Sequence, residues 1–426
     1  MHRTQRAIRR AERLGGPDAL NCIAEINEAA LEEAAYQSRK PSEGSGMPGE
    51  LLLRGVPILV KDNIDVKGLH TTAGSLALSD NLALSDAPVI RNLRRHGAVI
   101  LGKTNMTEFA HYVSSDMPGG YSSRGGQVRH AISELAEPGG SSTGSAVAVS
   151  AGIVSMAVGT DTSFSITACA MLNGICAIKP PVGVLPTDGI IPVSRTLDSA
   201  GPMADTFLDA LRMYRAMRDE AFPDVRAISP GKLRLSVNRA NSGKVEPGQQ
   251  DFLRRTIATL REAGATFTEL CQEKEPYLKT VMKWEFGPML EKYLRSSTAK
   301  RKTLAEIVSY YEENPDTMMK YGHGYLRAAL EETPGGLLGE EYLEALRYRK
   351  NRIQEVKTEI SDVDAVIMTG PTNVMHFCGL PSVTVAASEK DEHGVRRALI
   401  LYGTDERRLY AAALGIERVL LSGFLL

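Results

Sequence analysis

The chain has 426 residues, of which 43% are hydrophobic and 24% are charged. Its 50 basic side chains nearly balance 51 acidic ones, which leaves a formal net charge of -1. This composition is typical of a globular protein with one large core or two domains. The charge balance excludes a polybasic protein of the kind that binds nucleic acid or anionic membranes through charge.

The five cysteines form no C-x-x-C pair and are odd in number: Cys22, Cys169, Cys176, Cys271 and Cys378. This usage is typical of reduced thiols, so we expect neither structural disulfides nor a metal site. The Arg-rich N-terminal stretch lacks the apolar segment of a secretory signal, and no later stretch has the length of a membrane span. We therefore expect a cytoplasmic protein without a membrane partner.

The first predicted element is a helix over residues 18–38, where Ala, Leu and Glu are dense and apolar residues recur at helical spacing. The Gly/Ser/Pro-rich stretch 41–50 predicts a loop. Apolar runs then predict six buried strands, at 56–60, 98–101, 153–159, 365–368, 382–386 and 398–402.

Helices predicted at 86–97 and 143–152 separate several of these strands. Such alternation predicts an α/β fold, in which helices cover a sheet. From 245 to 361 the pattern changes to long helical segments with few strands, which indicates a helical insertion or subdomain.

Three segments carry residues suited to chemistry, and the first is "VPILVKDNID", in which an apolar strand leads directly to Lys61. A lysine at the end of a strand is usually a solvated surface residue. Its functional interpretation is a desolvated amine whose lowered pKa lets it act as a base.

The second segment, "EPGGSSTGSAVAVSAG", is a Gly/Ser-rich loop that opens a helix of small residues. Backbone N–H groups at such a helix start favour an anion, although a tight turn with a capping Ser or Thr fits the same pattern. Within it, "GSSTG" matches the G-x-S-x-G elbow of α/β-hydrolases. In that interpretation Ser142 is the nucleophile, and His323 or His376 is the base.

The third segment, "VGTDTSFSITACA" at 158–170, gathers hydroxyl groups around Phe164. A serine-rich stretch alone is usually only a turn. Together and in this order, the three segments resemble the amidase signature family, serine hydrolases that use a Ser-cisSer-Lys triad. The similarity is dense from Gly55 to Thr206 and resumes from "DAVIMTGPT" to the C-terminus.

The resemblance implies the amidase-signature fold, a large twisted mixed β-sheet with helices on both faces and a helical insertion. It implies a single domain over 1–426, with a signature core at 51–206 that carries the catalytic residues and a helical substrate-side subdomain at 245–361. Within the family, the stretch "GGYSSRGGQV" resembles stand-alone amidases more than the glutamyl-tRNA amidotransferase catalytic subunit. The near-neutral charge adds no support for a complex with tRNA.

The resemblance also assigns roles: Lys61 is the base, Ser141 relays the proton, and Ser165, 24 positions further on, is the nucleophile. The implied oxyanion hole consists of the backbone N–H groups of Thr162, Ser163, Phe164 and Ser165. The implied supporting residues are Asn63, Gly139, Gly140, Ser142 and Asp161. The implied reaction is hydrolysis of a carboxylic amide or ester through an acyl-enzyme, with neither metal nor cofactor.

The sequence departs from the family at Phe164, where glycine is common, and at Thr167, Ala168 and Cys169. Phenylalanine does not readily adopt a positive φ. We therefore expect either an ordinary φ at Phe164, with its ring in the acyl pocket, or a distorted oxyanion hole.

Three alternatives to hydrolysis by this triad remain open: acyl transfer from the same acyl-enzyme to ammonia or another nucleophile, a weakened family member that only binds, and the α/β-hydrolase interpretation with Ser142 as nucleophile. The expected partner is a small-molecule amide, not nucleic acid, and a homodimer is one open assembly. If Phe164, Met171 and Phe377 face the site, they favour an apolar acyl group.

Overall fold

The computed structural model describes residues 1–39 and 51–422, so the loop predicted at 41–50 lies outside the described residues. The strands are β1 (Ile23–Ile26), β2 (Pro57–Lys61), β3 (Val99–Thr104), β4 (Tyr121–Ser122), β5 (Gly126–Gln127), β6 (Met156–Asp161), β7 (Cys176–Lys179), β8 (Ser199–Ala204), β9 (Arg234–Asn238), β10 (Thr266–Leu270), β11 (Ala365–Met368), β12 (Ser382–Lys390) and β13 (Arg396–Tyr402).

The helices are α1 (His2–Leu14), α2 (Ala30–Arg39), α3 (Pro88–Arg95), α4 (Thr143–Ser150), α5 (Thr167–Leu172), α6 (Phe207–Met217), α7 (Pro247–Glu262), α8 (Leu278–Ser296), α9 (Leu304–Glu313), α10 (Pro315–Met318), α11 (Gly324–Glu331), α12 (Glu340–Glu359), α13 (Val374–Phe377) and α14 (Glu406–Leu421). Among the described residues, none of these helices is both long and apolar enough to cross a bilayer.

The main sheet has eleven strands in the order β1-β3-β2-β6-β8-β7-β12-β13-β11-β9-β10. Strand β2 runs parallel to β3 and β6, whereas β8 runs antiparallel to β6 and β7, so the sheet is mixed as predicted. In β2, Ile58 and Val60 pack into one hydrophobic cluster and Leu59 packs into another. Because neighbouring residues of a strand point to opposite faces, both faces of the sheet are covered.

The helix predicted at 18–38 is wrong in its first half. Residues Ile23–Ile26 form β1, which pairs antiparallel with β3 at the edge of the sheet, with Ile23 opposite Thr104. Pairing with an existing strand here outweighs the helix propensity of Ala and Glu. The Arg-rich N-terminus forms α1, whose Ala7 and Ala11 are buried in the core.

The segment 245–361, expected to be mainly helical, divides into two parts. Its first part belongs to the sheet, because β10 pairs in parallel with β9 and α7 contacts β13. The remaining helices of this segment, α8 to α12, residues 278–359, form what we call the helical layer. Part of this layer packs against the loop after β3, where Phe109 and Tyr112 contact Phe286.

Candidate active site

Lys61 is the last residue of β2, and its side chain is fully buried. Its Nζ atom lies 2.7 Å from Oγ of Ser141, 2.9 Å from Oγ of Ser142 and 3.2 Å from the carbonyl oxygen of Thr160. The position follows from the topology, since β2 lies between β3 and β6 at the centre of the parallel part of the sheet. The amine therefore reaches hydroxyl groups from the loop that opens α4.

Burial lowers the pKa of Lys61 to about 7. The negative charges of Asp161 and Asp198 favour the protonated amine, but they offset only part of the desolvation. A lysine with such a pKa is largely neutral in mildly alkaline solution. It can then accept a proton, which an ordinary surface lysine cannot do.

Ser141 and Ser165 continue the chain of contacts that begins at Lys61. Oγ of Ser141 donates to Oγ of Ser165 at 3.0 Å, so the three side chains form one connected path. The peptide bond between Gly140 and Ser141 is cis. Gly139 has a φ of 68°, and a Cβ atom at Gly140 would lie 2.5 Å from Oγ1 of Thr107. Both glycines therefore fit positions that larger residues would not tolerate.

Ser142 does not have the surroundings of an elbow nucleophile. Besides its contact with Lys61, its hydroxyl donates to the carbonyl oxygen of Thr160 at 3.0 Å and accepts from the N–H of the same residue. His323 contacts Glu312 in the helical layer, and His376 contacts Asp161. In the part of the chain that the structure describes, neither histidine bonds to Ser142, so the α/β-hydrolase interpretation lacks its base.

The nucleophile loop, residues 162–165, connects β6 to α5. Asp161 anchors its end, since Oδ2 accepts from the N–H of Ile166 at 2.6 Å and from that of Thr167 at 3.4 Å. At its start, Thr162 donates from Oγ1 to Asp198 at 2.6 Å. The N–H groups of residues 163–165 donate to no acceptor within the described residues. These amides are therefore free to donate to a bound acceptor.

Phe164 differs from the first of our two alternatives, an ordinary φ, whereas the second, a distorted oxyanion hole, stays a prediction. Its φ is 69°, so it occupies the left-handed conformation that glycine would adopt there. Its ring packs against His376, with 4.5 Å between ring centroids. The expectation that a phenylalanine here would have an ordinary φ is therefore wrong, and packing of the ring accompanies the unusual backbone.

Asn63 supports the strand ends rather than the amine itself. Its Nδ2 donates to Oγ1 of Thr160 at 3.1 Å and to the carbonyl oxygen of Ile191 at 3.2 Å. Because Thr160 also contacts Lys61 and Ser142, Asn63 acts on the site through this residue.

A cavity of about 700 Å³ adjoins the nucleophile loop. Phe164 and Met171 lie in its wall, whereas Phe377 is fully buried elsewhere and does not line it. Other apolar residues of the wall are Ala168, Met368 and Ile400. Ser165 is not part of the lining, whereas its neighbour Phe164 is.

Sequence reasoning missed Asp198 and gave His376 only the role of an elbow base. Burial raises the pKa of Asp198 to about 7, although hydrogen bonds from Thr162 and from the N–H groups of Ser194 and Val193 favour its charged form. A single aspartate or histidine carries no local pattern, so neither residue was identifiable before the fold. Among the described residues, no group of His, Cys, Asp and Glu side chains is arranged to hold a metal ion.

Comparisons with known proteins agree with this geometry. The sequence profile of the family described as Amidase matches residues 3–380. A probable amidase of Arabidopsis thaliana is 31% identical over 94% of this chain and 83% of its own length. A glutamyl-tRNA(Gln) amidotransferase subunit from Deinococcus radiodurans is 35% identical, but over only 62% of this chain and 55% of its own length.

Among solved structures, the native peptide amidase of Stenotrophomonas maltophilia superposes with a TM-score of 0.85 at 30% identity, covering 98% of this chain and 93% of its own. Of these relatives, the probable amidase and the peptide amidase match nearly the whole chain, whereas the amidotransferase subunit matches only part of it, as the sequence predicted. With the family profile matching most of the residues, the chain belongs to the amidase signature family and is an amidase, a hydrolase of amide bonds.

Proposed function

We propose that the protein hydrolyses a carboxylic amide through an acyl-enzyme on Ser165, with Ser141 as proton relay and Lys61 as base. The observation that carries the proposal is the unbroken path from Nζ of Lys61 to Oγ of Ser141, at 2.7 Å, and on to Oγ of Ser165, at 3.0 Å. Both distances are within the range of hydrogen bonds.

In the acylation step, Oγ of Ser165 attacks the carbonyl carbon of the amide. Its proton passes to Ser141 while the proton of Ser141 passes to the neutral amine of Lys61. The tetrahedral intermediate collapses when the C–N bond breaks, and the same path returns a proton to the departing nitrogen. Water then attacks the acyl carbon and gives a proton to the relay, the C–Oγ bond breaks, the relay returns the proton to Oγ of Ser165, and the carboxylic acid leaves.

The backbone N–H groups of residues 162–165 supply the oxyanion hole in this proposal. Those of residues 163–165 have no competing acceptor within the described chain, which supports the assignment. Each such donor is typically worth about 2.7–4 kcal/mol of transition-state stabilisation. Asp161 and Asp198 support this role by holding the two ends of the loop.

The first substrate to test is a peptide with a C-terminal amide, because a full-length structural relative is a peptide amidase. Acyl transfer to a nucleophile other than water remains the second candidate, since it uses the same acyl-enzyme. Competition between water and hydroxylamine separates the two: a hydrolase forms mainly the acid at low hydroxylamine concentration, whereas an acyltransferase forms mainly the hydroxamate.

The test measures ammonia, acid and hydroxamate released from a peptide amide by the parent and by Ser165→Ala. We expect the total rate to fall by roughly 10⁴-fold or more in Ser165→Ala. Ser163→Ala is the matched control, because Ser163 lies in the same loop and has no place in the path; its rate should stay within about threefold of the parent. Unchanged turnover in Ser165→Ala would overturn the proposal.

A further inference from the structure

His376 is a buried side chain that the relay does not use. It lies in α13, is fully buried, and has its Nδ1 atom 3.0 Å from Oδ1 of Asp161. Neither ring nitrogen, Nδ1 or Nε2, has a partner with hydrogen-bond geometry within the described residues, so the approach of Nδ1 to Asp161 is a close polar contact rather than a well-directed hydrogen bond. A buried imidazole with one polar contact is expensive to retain without a purpose.

Asp161 joins His376 to the nucleophile loop. One carboxylate oxygen faces the imidazole, and the other accepts from the N–H of Ile166, the residue directly after Ser165. Burial alone would raise the pKa of Asp161, but His376 and Lys179 outweigh it and lower that pKa. The carboxylate is therefore charged and available to both neighbours.

Lys179 does not replace His376 in this arrangement. Its amine is buried and donates to the carbonyl oxygens of Leu380 and Pro180, at 2.7 and 3.2 Å. Its charge acts on Asp161 through space, whereas the imidazole is in direct contact with the carboxylate.

The ring of Phe164 is the second side chain that His376 contacts. This residue holds a φ of 69°, and its ring lies on the imidazole at 4.5 Å with an interplanar angle of 58°. A non-glycine residue in the left-handed region persists only when its surroundings fix it. His376 thus contacts the residue before Ser165 directly and the residue after it through Asp161.

We propose that His376 is a positioning residue for acylation: its Nδ1 edge, in contact with Asp161, holds that carboxylate against the amide after Ser165, and the imidazole ring holds Phe164 in the conformation that presents the oxyanion amides. This inference rests on the proposed function, since it concerns the same nucleophile.

Two substitutions separate the two contacts. His376→Asn keeps an N–H donor near the place of Nδ1 and removes the ring, whereas His376→Phe keeps an aromatic ring and removes the donor. Each is made in the parent and together with Phe164→Gly, because glycine adopts a positive φ without support. The rate of covalent labelling of Ser165 by a fluorophosphonate is measured by peptide mass spectrometry, with kcat and KM for a peptide amide.

We expect labelling and kcat to fall about tenfold in His376→Asn, with KM nearly unchanged, and to return to within about threefold when Phe164→Gly is added. We expect a loss of about tenfold or more in His376→Phe that Phe164→Gly does not restore, because Asp161 still lacks its partner. If His376→Phe does not fold, His376→Gln, in which the donor is displaced, takes its place with the same expectation.

His323→Asn is the matched control, since His323 is also buried but contacts Glu312 in the helical layer; it should leave the labelling rate within about twofold. If the His376 variants label like the parent while Ser165→Ala is not labelled, the inference fails and the proposed function stands. A loss in His376→Asn that is equal with and without Phe164→Gly also overturns it. If the parent is not labelled at Ser165, the proposed function fails and the inference with it.

Discussion

The centre of the sheet and the helical layer use buried polar groups in different ways. At the end of β2 and β6, Lys61, Ser141 and Ser165 form a path that ends at a hydroxyl without a further acceptor in the described residues. In the helical layer, Glu285 accepts from Ser194, from both donors of Thr196 and from Tyr342. The first arrangement leaves a hydroxyl group free to react. In the second, the carboxylate of Glu285 accepts from all these donors and holds α8 against them.

This difference teaches where substitutions should change rate and where they should change stability. Glu285 lies on α8, but its donors Ser194 and Thr196 lie between β7 and β8, near Asp198. Tyr293 of the same helix donates to Asp65 at 2.7 Å. The helical layer thus holds loops of the sheet, and the sheet carries the reacting groups.

The largest expected effect lies at the centre of the sheet. Lys61→Met and Ser141→Ala should each lower kcat by roughly 10⁴-fold, because each interrupts the only proton path we propose from Ser165. Thermal unfolding should show that both variants remain folded. Loss of activity that follows loss of folding would remove the contrast between the two regions.

The next effect belongs to the helical layer. Glu285→Ala should lower the free energy of unfolding by about 3 kcal/mol, because it leaves several buried donors without their acceptor. Urea unfolding measures this change. Glu291→Ala, on the same helix, is the control, since within the described residues that carboxylate accepts only from the N–H of Leu304. An equal loss of unfolding free energy in both variants would contradict the role of Glu285 in holding these donors.

The pH dependence of kcat/KM sharpens the role of Lys61. Because burial lowers its pKa to about 7, the amine is protonated and inactive below that pH and neutral above it. The rate should therefore fall about tenfold per unit below pH 7 and level off above it. The measurement is a kcat/KM profile with an uncharged amide substrate.

Asp198→Asn is the control for this profile, since the pKa of Asp198 is raised to about 7 and this carboxyl titrates in the same range. The charge of Asp198 raises the pKa of Lys61, so its removal should shift the midpoint to lower pH. Disappearance of the acid limb in Asp198→Asn would assign the titration to Asp198 instead.

The smallest expected effect tests local stability in the helical layer. Thr303 caps α9 in a capping box with Glu306, so Thr303→Ala should cost about 1 kcal/mol without changing kcat. Thr358→Ala, at an exposed position in α12, should stay within about 0.5 kcal/mol of the parent. A change in kcat for Thr303→Ala would link the layer to the chemistry more closely than we propose.

Much of the fold was predictable because the signature segments have strong local patterns. All six predicted strands overlap observed ones, from β2 to β13. Strands such as β1 and β10 escaped prediction because pairing, not local propensity, decides them. The local pattern of Ile23–Ile26 predicts a helix, but in the fold these residues pair with β3.

The candidate site was predictable where its residues lie in segments with recognisable patterns. It was not predictable where only the fold brings residues together. Lys61, Ser141 and Ser165 follow recognisable patterns, whereas His376 lies 215 positions from Asp161 and meets it only through the folding of β12 and β6. The ring of Phe164 likewise meets His376 only in the folded chain. The cytoplasmic location, the homodimer and the lack of a nucleic-acid partner stay predictions.

The most direct test of the central claim is the identity of the residue that a fluorophosphonate labels, read by peptide mass spectrometry. The account predicts a label on Ser165 that is absent in Ser165→Ala, strongly slowed in Lys61→Met and retained in Ser163→Ala. A label on Ser142, or a label on Ser165 that forms as fast without Lys61, would contradict it.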